Sequence, residues 1–205
     1  MQQKKNEFYY KKAKAEHYRS RATYKLAQTI NKYNFIKYRD IVVDLGAAPG
    51  GWIQAARKIA GKKGFVLGVD LKPIEPFEQT YIRTIVGDLA DPSIVNQIKS
   101  FLPREADVVL SDMAPNISGI WEVDHARQID LATKALETAL QILRPGGNFF
   151  VKLFQGDLFE QYVERVKQYF EEVKFIKPKA SRTRSAEMYV LALGLKHPKD
   201  EVRED

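Results

Sequence analysis

From Ile41 onward, short runs of apolar and β-branched residues alternate with longer stretches whose apolar positions recur every three or four residues. The first pattern predicts buried strands and the second predicts helices packed on them. Strands are expected at Ile41 to Leu45, Gly64 to Asp70, Thr84 to Asp88, Asp107 to Asp112 and Asn148 to Phe154. Helices are expected from about Gly51 to Ala60, near Pro92 to Phe101, from about Asp124 to Leu143 before Arg-Pro-Gly-Gly, and through Phe170. Such alternation gives a parallel sheet with helices on both faces. The chain ends differently, with a short strand near Val173 to Ile176, a basic loop and the apolar strand Met188 to Leu195. No crossover helix fits between those two strands, so they should pair antiparallel. The expected fold is α/β and Rossmann-like: a seven-stranded, mostly parallel sheet with a C-terminal antiparallel strand.

A chain of 205 residues with 44% hydrophobic and 29% charged residues suits one soluble domain, expected to span residues 1–205. No run approaches a membrane span, and the basic amino terminus lacks the apolar core of a secretory signal, so a cytoplasmic protein is expected. Cysteine is absent and the three histidines lack ligand spacing, so no metal site is expected. Charge is concentrated at one end: residues 1–40 carry a net +8, leaving the rest near −1. Tyr9, Tyr10, Tyr18 and Tyr24 are interleaved with that charge, a mixture suited to a phosphate backbone and stacked bases, with a solvated helix as the alternative. The stretch Lys174 to Arg184 adds five Lys/Arg and no acid. A basic arm over about residues 1–34 and this loop point to RNA as the partner, and a monomer without membrane contact is expected.

Asp44-Leu45-Gly46-Ala47-Ala48-Pro49-Gly50-Gly51-Trp52 joins the first strand to the first sheet-covering helix. Pro49 removes a backbone donor, a poor choice for cradling a pyrophosphate, whereas Gly46, Gly50 and Gly51 still allow close approach. A ligand without phosphates, such as S-adenosyl-L-methionine, fits better. Asp44 could hold its amino group or offset its sulfonium; Asp70 and Asp88, ending the next two strands, are placed for ribose hydroxyls and the adenine amine. Each acid could instead be a turn cap. The terminal antiparallel pair likewise suits the methyltransferase variant of this fold better than the nicotinamide one.

Chemistry needs further residues. Asp112 opens Asp-Met-Ala-Pro-Asn after the fourth strand, Lys152 interrupts the apolar fifth strand, and Glu187 precedes the last strand. A buried lysine needs a partner, or its pKa falls toward that of a usable base. Lys25, on the amphipathic helix RSRATYKLAQTI, is unremarkable alone.

RSRATYKL, VDLGAAPGGW, SDMAPN, VKLFQG and SRTRSAEMYV, in this order, resemble the FtsJ/RrmJ family of ribose 2′-O-methyltransferases over nearly the whole chain. The resemblance implies S-adenosyl-L-methionine as cofactor, a uridine of large-subunit ribosomal RNA as substrate, and a catalytic tetrad on Lys25, Asp112, Lys152 and Glu187. It implies cofactor contacts at Gly50, Trp52, Asp70, Asp88 and Asp112. In the family picture Lys152 is the base, its neutral form favoured by Lys25, while Asp112 and Glu187 orient the lysines and the hydroxyl. The basic arm and loop would grip RNA on either side. Competing expectations are an anticodon-loop tRNA 2′-O-methyltransferase, a non-catalytic RNA-binding assembly factor, and a nicotinamide oxidoreductase.

Overall fold

The computed structural model describes residues 2–181 and 185–197, with side chains from residue 7 onward. Arg182 and Arg184 of the basic loop, and the acidic tail from Asp200, lie outside the described residues. Two helices come first, α1 (Gln2–Ala15) and α2 (Thr23–Tyr33). The alternating part follows: β1 (Ile41–Leu45), α3 (Gly51–Ala60), β2 (Phe65–Asp70), β3 (Ile82–Val86), α4 (Ile94–Phe101), β4 (Ala106–Ser111) and α5 (Trp121–Ile142). It closes with β5 (Leu143–Phe154), α6 (Phe159–Tyr169), β6 (Phe170–Ile176) and β7 (Glu187–Leu195). No helix among the described residues is long and apolar enough to cross a membrane.

The seven strands lie in the order β3-β2-β1-β4-β5-β7-β6. Strands β1 to β5 pair in parallel, and β7 runs antiparallel to both β5 and β6. The terminal pair forms as expected, but it folds inward so that the last strand sits inside the sheet. Composition explains this inversion. The run Tyr189 to Ala192 is buried on both faces and belongs in the interior, whereas β6 exposes Glu171, Glu172 and Phe175 and tolerates the edge.

Alternation along each strand divides the core in two. Ile41, Val43, Val109, Phe149, Val151 and Val190 pack beneath α4, α5 and α6. Val42, Val108, Leu110, Phe150, Tyr189 and Leu191 pack with Leu26 and Ile30 of α2 and with Trp52 and Ile53 of α3.

Several boundaries differ from expectation, and three of the differences have a clear cause. Strand β3 ends at Val86: the Gly87 amide makes the last ladder bond, to the Asp70 carbonyl, and the Asp88 carboxylate then accepts the Ala90 amide, turning the chain out of the sheet. Helix α5 starts at Trp121, since Asp124 uses its carboxylate to accept Ser118 and Gly119 amides and brace the preceding loop from inside the first turn. Arg144 to Gly147 do not form a separate loop: pairing with β4 already exists at Leu143 and shifts register before Asn148.

At the opposite end of the sheet from the strand carboxyl ends, buried Asp107 accepts the Ile41 amide and Arg104 on one oxygen and Arg144 on the other, all at 2.7 Å. Burial raises the pKa of this carboxyl, but its two guanidinium and one amide donors outweigh that and hold it below the usual range. Asp107→Ala is expected to lower stability by roughly 1–3 kcal/mol, because the Ile41 amide is left buried without its acceptor. The contribution is complete above about pH 4, the unfolded value, and is lost as pH falls through the lower folded value. Urea unfolding from pH 7 to pH 3 should show the gap between variant and wild type narrowing with acid.

Candidate active site

Period-two alternation aims several polar side chains at one place. Lys152 shares its face of β5 with Phe150, Tyr189 and Glu187 share theirs with Leu191, and Asp112 continues the Val108–Leu110 face of β4. The three strands are consecutive in the sheet, with β5 between β4 and β7, and register sets Lys152 opposite Tyr189. Helix α2 covers this face and contributes Lys25.

The four residues of the expected tetrad therefore meet, joined by a fifth. Lys25 Nζ donates to both Glu187 carboxylate oxygens, at 2.7 and 2.8 Å, and to the Tyr189 hydroxyl at 3.1 Å. Tyr189 in turn donates to Asp112 Oδ1 at 2.8 Å. Lys152 Nζ lies 3.1 Å from that same oxygen and donates to the Asp112 carbonyl at 2.5 Å. Lys152 is only 6% exposed, so this pairing meets the requirement that a buried ammonium be partnered. Burial, then the Asp112 and Glu187 charges, push the Tyr189 phenol well above its ordinary value, so it remains a donor. Tyr189 was not predicted, and neither was Ser181, whose hydroxyl donates to Glu187 at 2.8 Å.

Beside this network, the carboxyl ends of β1 to β4 enclose a cleft of about 580 Å³. Gly46, Asp70, Asp88 and Asp112 of the expected cofactor set line it, with Met113 to Asn116, Arg127, Asp130 and Lys134. Gly46 sits at φ 76°, and a Cβ there would come within 2.3 Å of Met113, so glycine lets the two loops close on each other. Asp70 and Asp88 are turn caps as well: Asp70 accepts the Ala48 and Lys72 amides, and Asp88 the Ala90 amide, each at 2.8 Å. Each carboxylate oxygen keeps a further lone pair for a ligand.

The other expected cofactor residues stand back from this cleft. Pro49 follows a cis peptide bond, and Gly50 packs against Phe77 and Arg19. A Cβ on Gly51 would meet Ser20 and Thr23 at the start of α2. Trp52 is buried, donates to the Ala22 carbonyl at 2.8 Å, and stacks on Phe150 near Tyr189, forming a floor under the polar network. Asp44 is fully buried and neither carboxylate oxygen has a protein partner. Burial, then the Asp112 and Asp70 carboxylates, push it well above the usual carboxylate range.

The two basic segments meet rather than flank the site. Tyr9 of α1 packs on Tyr24 of α2 and accepts from Gln28, whose carbonyl oxygen accepts the Ala180 amide of the basic loop.

A sheet of this order, with one antiparallel strand inserted and acids at successive strand ends around a cleft, defines the fold of the α/β methyltransferases. Aeropyrum pernix fibrillarin, in complex with S-adenosyl-L-methionine, shares that fold at a TM-score of 0.61 and 16% identity over 82% of this chain and 73% of its own. The chain belongs to the FtsJ-like methyltransferase family, whose model matches residues 18–195, and is a methyltransferase. A Methanococcus maripaludis protein named ribosomal RNA large subunit methyltransferase E is 54% identical over 92% of this chain and 73% of the relative. Its Methanocaldococcus jannaschii counterpart of the same name is 52% identical over 93% and 79%. A Plasmodium falciparum structure described as a ribosomal RNA methyltransferase superposes with a TM-score of 0.77 at 28% identity, covering 87% of this chain and 98% of that one.

The raised Asp44 carboxyl has a measurable consequence. It keeps its proton in the folded, ligand-free protein at pH values where the unfolded chain has lost it, so it destabilises the fold increasingly as pH rises above about 4. Asp44→Asn removes that penalty. Thermal melts of ligand-free protein from pH 4 to 8 should show the variant gaining on wild type as pH rises, and a constant difference would mean that Asp44 is already ionised in the fold.

Proposed function

We propose that this chain transfers the methyl group of S-adenosyl-L-methionine to a ribose 2′-hydroxyl of RNA, most favourably a uridine of large-subunit ribosomal RNA. The observation that carries this reading is the double position of Asp112: it lines the cleft and also holds Lys152 and Tyr189. Donor and acceptor would meet across one carboxylate. The names of the relatives above support ribosomal RNA as the substrate. The working unit is read as one methyltransferase domain over residues 1–205 with a basic arm over about residues 1–34, acting as a cytoplasmic monomer.

The cleft suits the cofactor. Asp44, behind the cleft wall, holds a buried carboxyl with no protein partner that could answer a cationic amino group, and Asp70 and Asp88 in the wall offer acceptors to ribose and adenine. When bound, S-adenosyl-L-methionine supplies an electrophilic methyl on a sulfonium. A ribose hydroxyl is a weak nucleophile, so Lys152, after giving up its own proton to solvent, takes the hydroxyl proton while the oxygen forms the new O–CH₃ bond and the S–CH₃ bond breaks. Asp112 aims Lys152 through two of its oxygens and stabilises the ammonium that results. Glu187 and Tyr189 fix Lys25 beside the ribose position.

Lys152→Ala is expected to reduce single-turnover transfer of labelled methyl to large-subunit RNA or subunits by about 10²–10⁴-fold, with cofactor affinity near wild type. Lys152→Arg should not rescue it, because a guanidinium stays charged. Substantial transfer by the arginine variant would leave Lys152 an electrostatic role only, and no transfer by wild type to any RNA would favour a scaffold.

The arm is expected to hold the phosphate backbone. Lys11, Lys12 and Lys14 are exposed on α1, and changing all three to Gln should weaken RNA binding and flatten its salt dependence by up to about one unit of slope per lost contact. Equal slopes in filter-binding titrations would make the arm a solvated helix.

A further inference from the structure

An exposed aromatic patch stands next to the polar network and takes no part in it. Helix α5 runs alongside the site, presenting Gln128, His125 and Trp121 in turn along one face. Gln128 donates to the Lys152 carbonyl at 3.0 Å and to the Met113 carbonyl at 3.2 Å, so the helix is bolted to the two segments that carry Lys152 and Asp112. His125 accepts the Leu158 amide at 3.1 Å and fills the space where Gly156 would carry a Cβ. Trp121 comes next, two turns or about 10 Å along the axis from Gln128.

Its indole stacks on His125 with 16° between planes and on Phe154 with 24°, and Phe154 is the register partner of Glu187. His125 is buried and Phe154 half-buried, whereas Trp121 is 45% exposed. The ring is thus held in a fixed orientation by two near-parallel neighbours and still offers open aromatic surface. Ile117 and Ile120 are exposed on the adjoining loop, and the Arg127 guanidinium, also exposed, reaches the Asn116 carbonyl of that loop at 3.5 Å.

We propose that Trp121, rimmed by Ile117 and Ile120, is the stacking platform for a base of the RNA strand whose ribose lies at Lys152. The inference rests on the RNA 2′-O-methyltransferase reading above. It follows from continuity with that site: the strand that brings a 2′-hydroxyl to Lys152 must carry its bases past the neighbouring protein surface, and a preoriented indole backed by two rings binds any base by its face. Arg127 offers a cation to the adjacent phosphate. Stacking here would fix the rotation of the nucleotide and hence the aim of its hydroxyl.

The chain holds two tryptophans, and Trp52 is buried, so the exposed emission belongs to Trp121. Titrating large-subunit ribosomal RNA into wild type should quench that emission, and the same titration of Trp121→Phe should not. Trp121→Leu, which keeps apolar bulk without a ring face, is expected to lose about tenfold or more in RNA affinity with S-adenosyl-L-methionine affinity unchanged. Trp121→Phe should restore RNA affinity to within about threefold of wild type and restore single-turnover transfer with it. If wild type methylates RNA and Trp121→Leu binds and methylates it equally well, the platform is overturned while the enzyme reading stands. If wild type methylates no RNA, both fall. A wild-type dimer that Trp121→Leu converts to monomer, with RNA transfer unchanged, would assign the patch to self-association instead.

Discussion

Everything in this site depends on a single carboxylate placed where the fourth strand leaves the sheet. Asp112 Oδ1 accepts the Tyr189 hydroxyl and pairs with Lys152, while the same residue forms part of the wall of the cleft. Burying an ammonium costs several kcal/mol unless an anion and good hydrogen bonds accompany it. Lys152 therefore cannot occupy the middle of an apolar strand without Asp112, and Asp112 cannot hold it without β4 and β5 being adjacent and parallel. The sheet order is thus a chemical requirement as much as a packing solution.

The second requirement is that one face of the sheet be polar at its carboxyl end. On the face under α4, α5 and α6, the alternating positions carry no charge at the carboxyl ends of β1, β4 and β5 and the adjoining start of β7, where Leu45, Ser111, Leu153 and Val190 are found. On the face under α2 and α3 the apolar run gives way to Asp44, Asp112, Lys152 and Glu187 as each strand ends. A helix laid over that end must bring matching charge, and Lys25 does so. Trp52, Phe150 and Tyr189 form a stacked aromatic floor directly beneath it, which keeps water from the inner side of the ion pairs and strengthens them.

This division explains what could be read in the chain and what could not. The strands were legible because their β-branched runs are bounded by glycine, proline and acids, and Lys152 and Glu187 stood out because charge interrupts or opens an apolar run. Tyr189 did not, since a tyrosine inside Met188 to Leu195 looks like core until register sets it opposite Lys152 and between two anions. The same limit applies to Trp52: its neighbour Gly51 packs on Ser20 and Thr23, and it is the crossing of α2 over α3 that turns the indole under the network and away from the cleft. The helix was expected to start at about Asp124 and starts at Trp121, because Asp124 braces the preceding loop through Ser118 and Gly119, whose backbone direction carries no sequence signal.

The basic segments were legible as charge, and their joining was not. Arm and loop are linked through Gln28, which donates to Tyr9 and accepts the Ala180 amide, and the residue after Ala180 is Ser181, which donates to Glu187. Gln28 also lies one helical turn from Lys25, the partner of Glu187. The junction of arm and loop and the Lys25–Glu187 ion pair are therefore separated by two hydrogen bonds and one turn of helix. A displacement of the loop would move the Ser181 donor from Glu187 and loosen Lys25 on its other side. Because these contacts are directional and share Gln28 and Ser181, the arm, the loop and the polar network hold their geometry together.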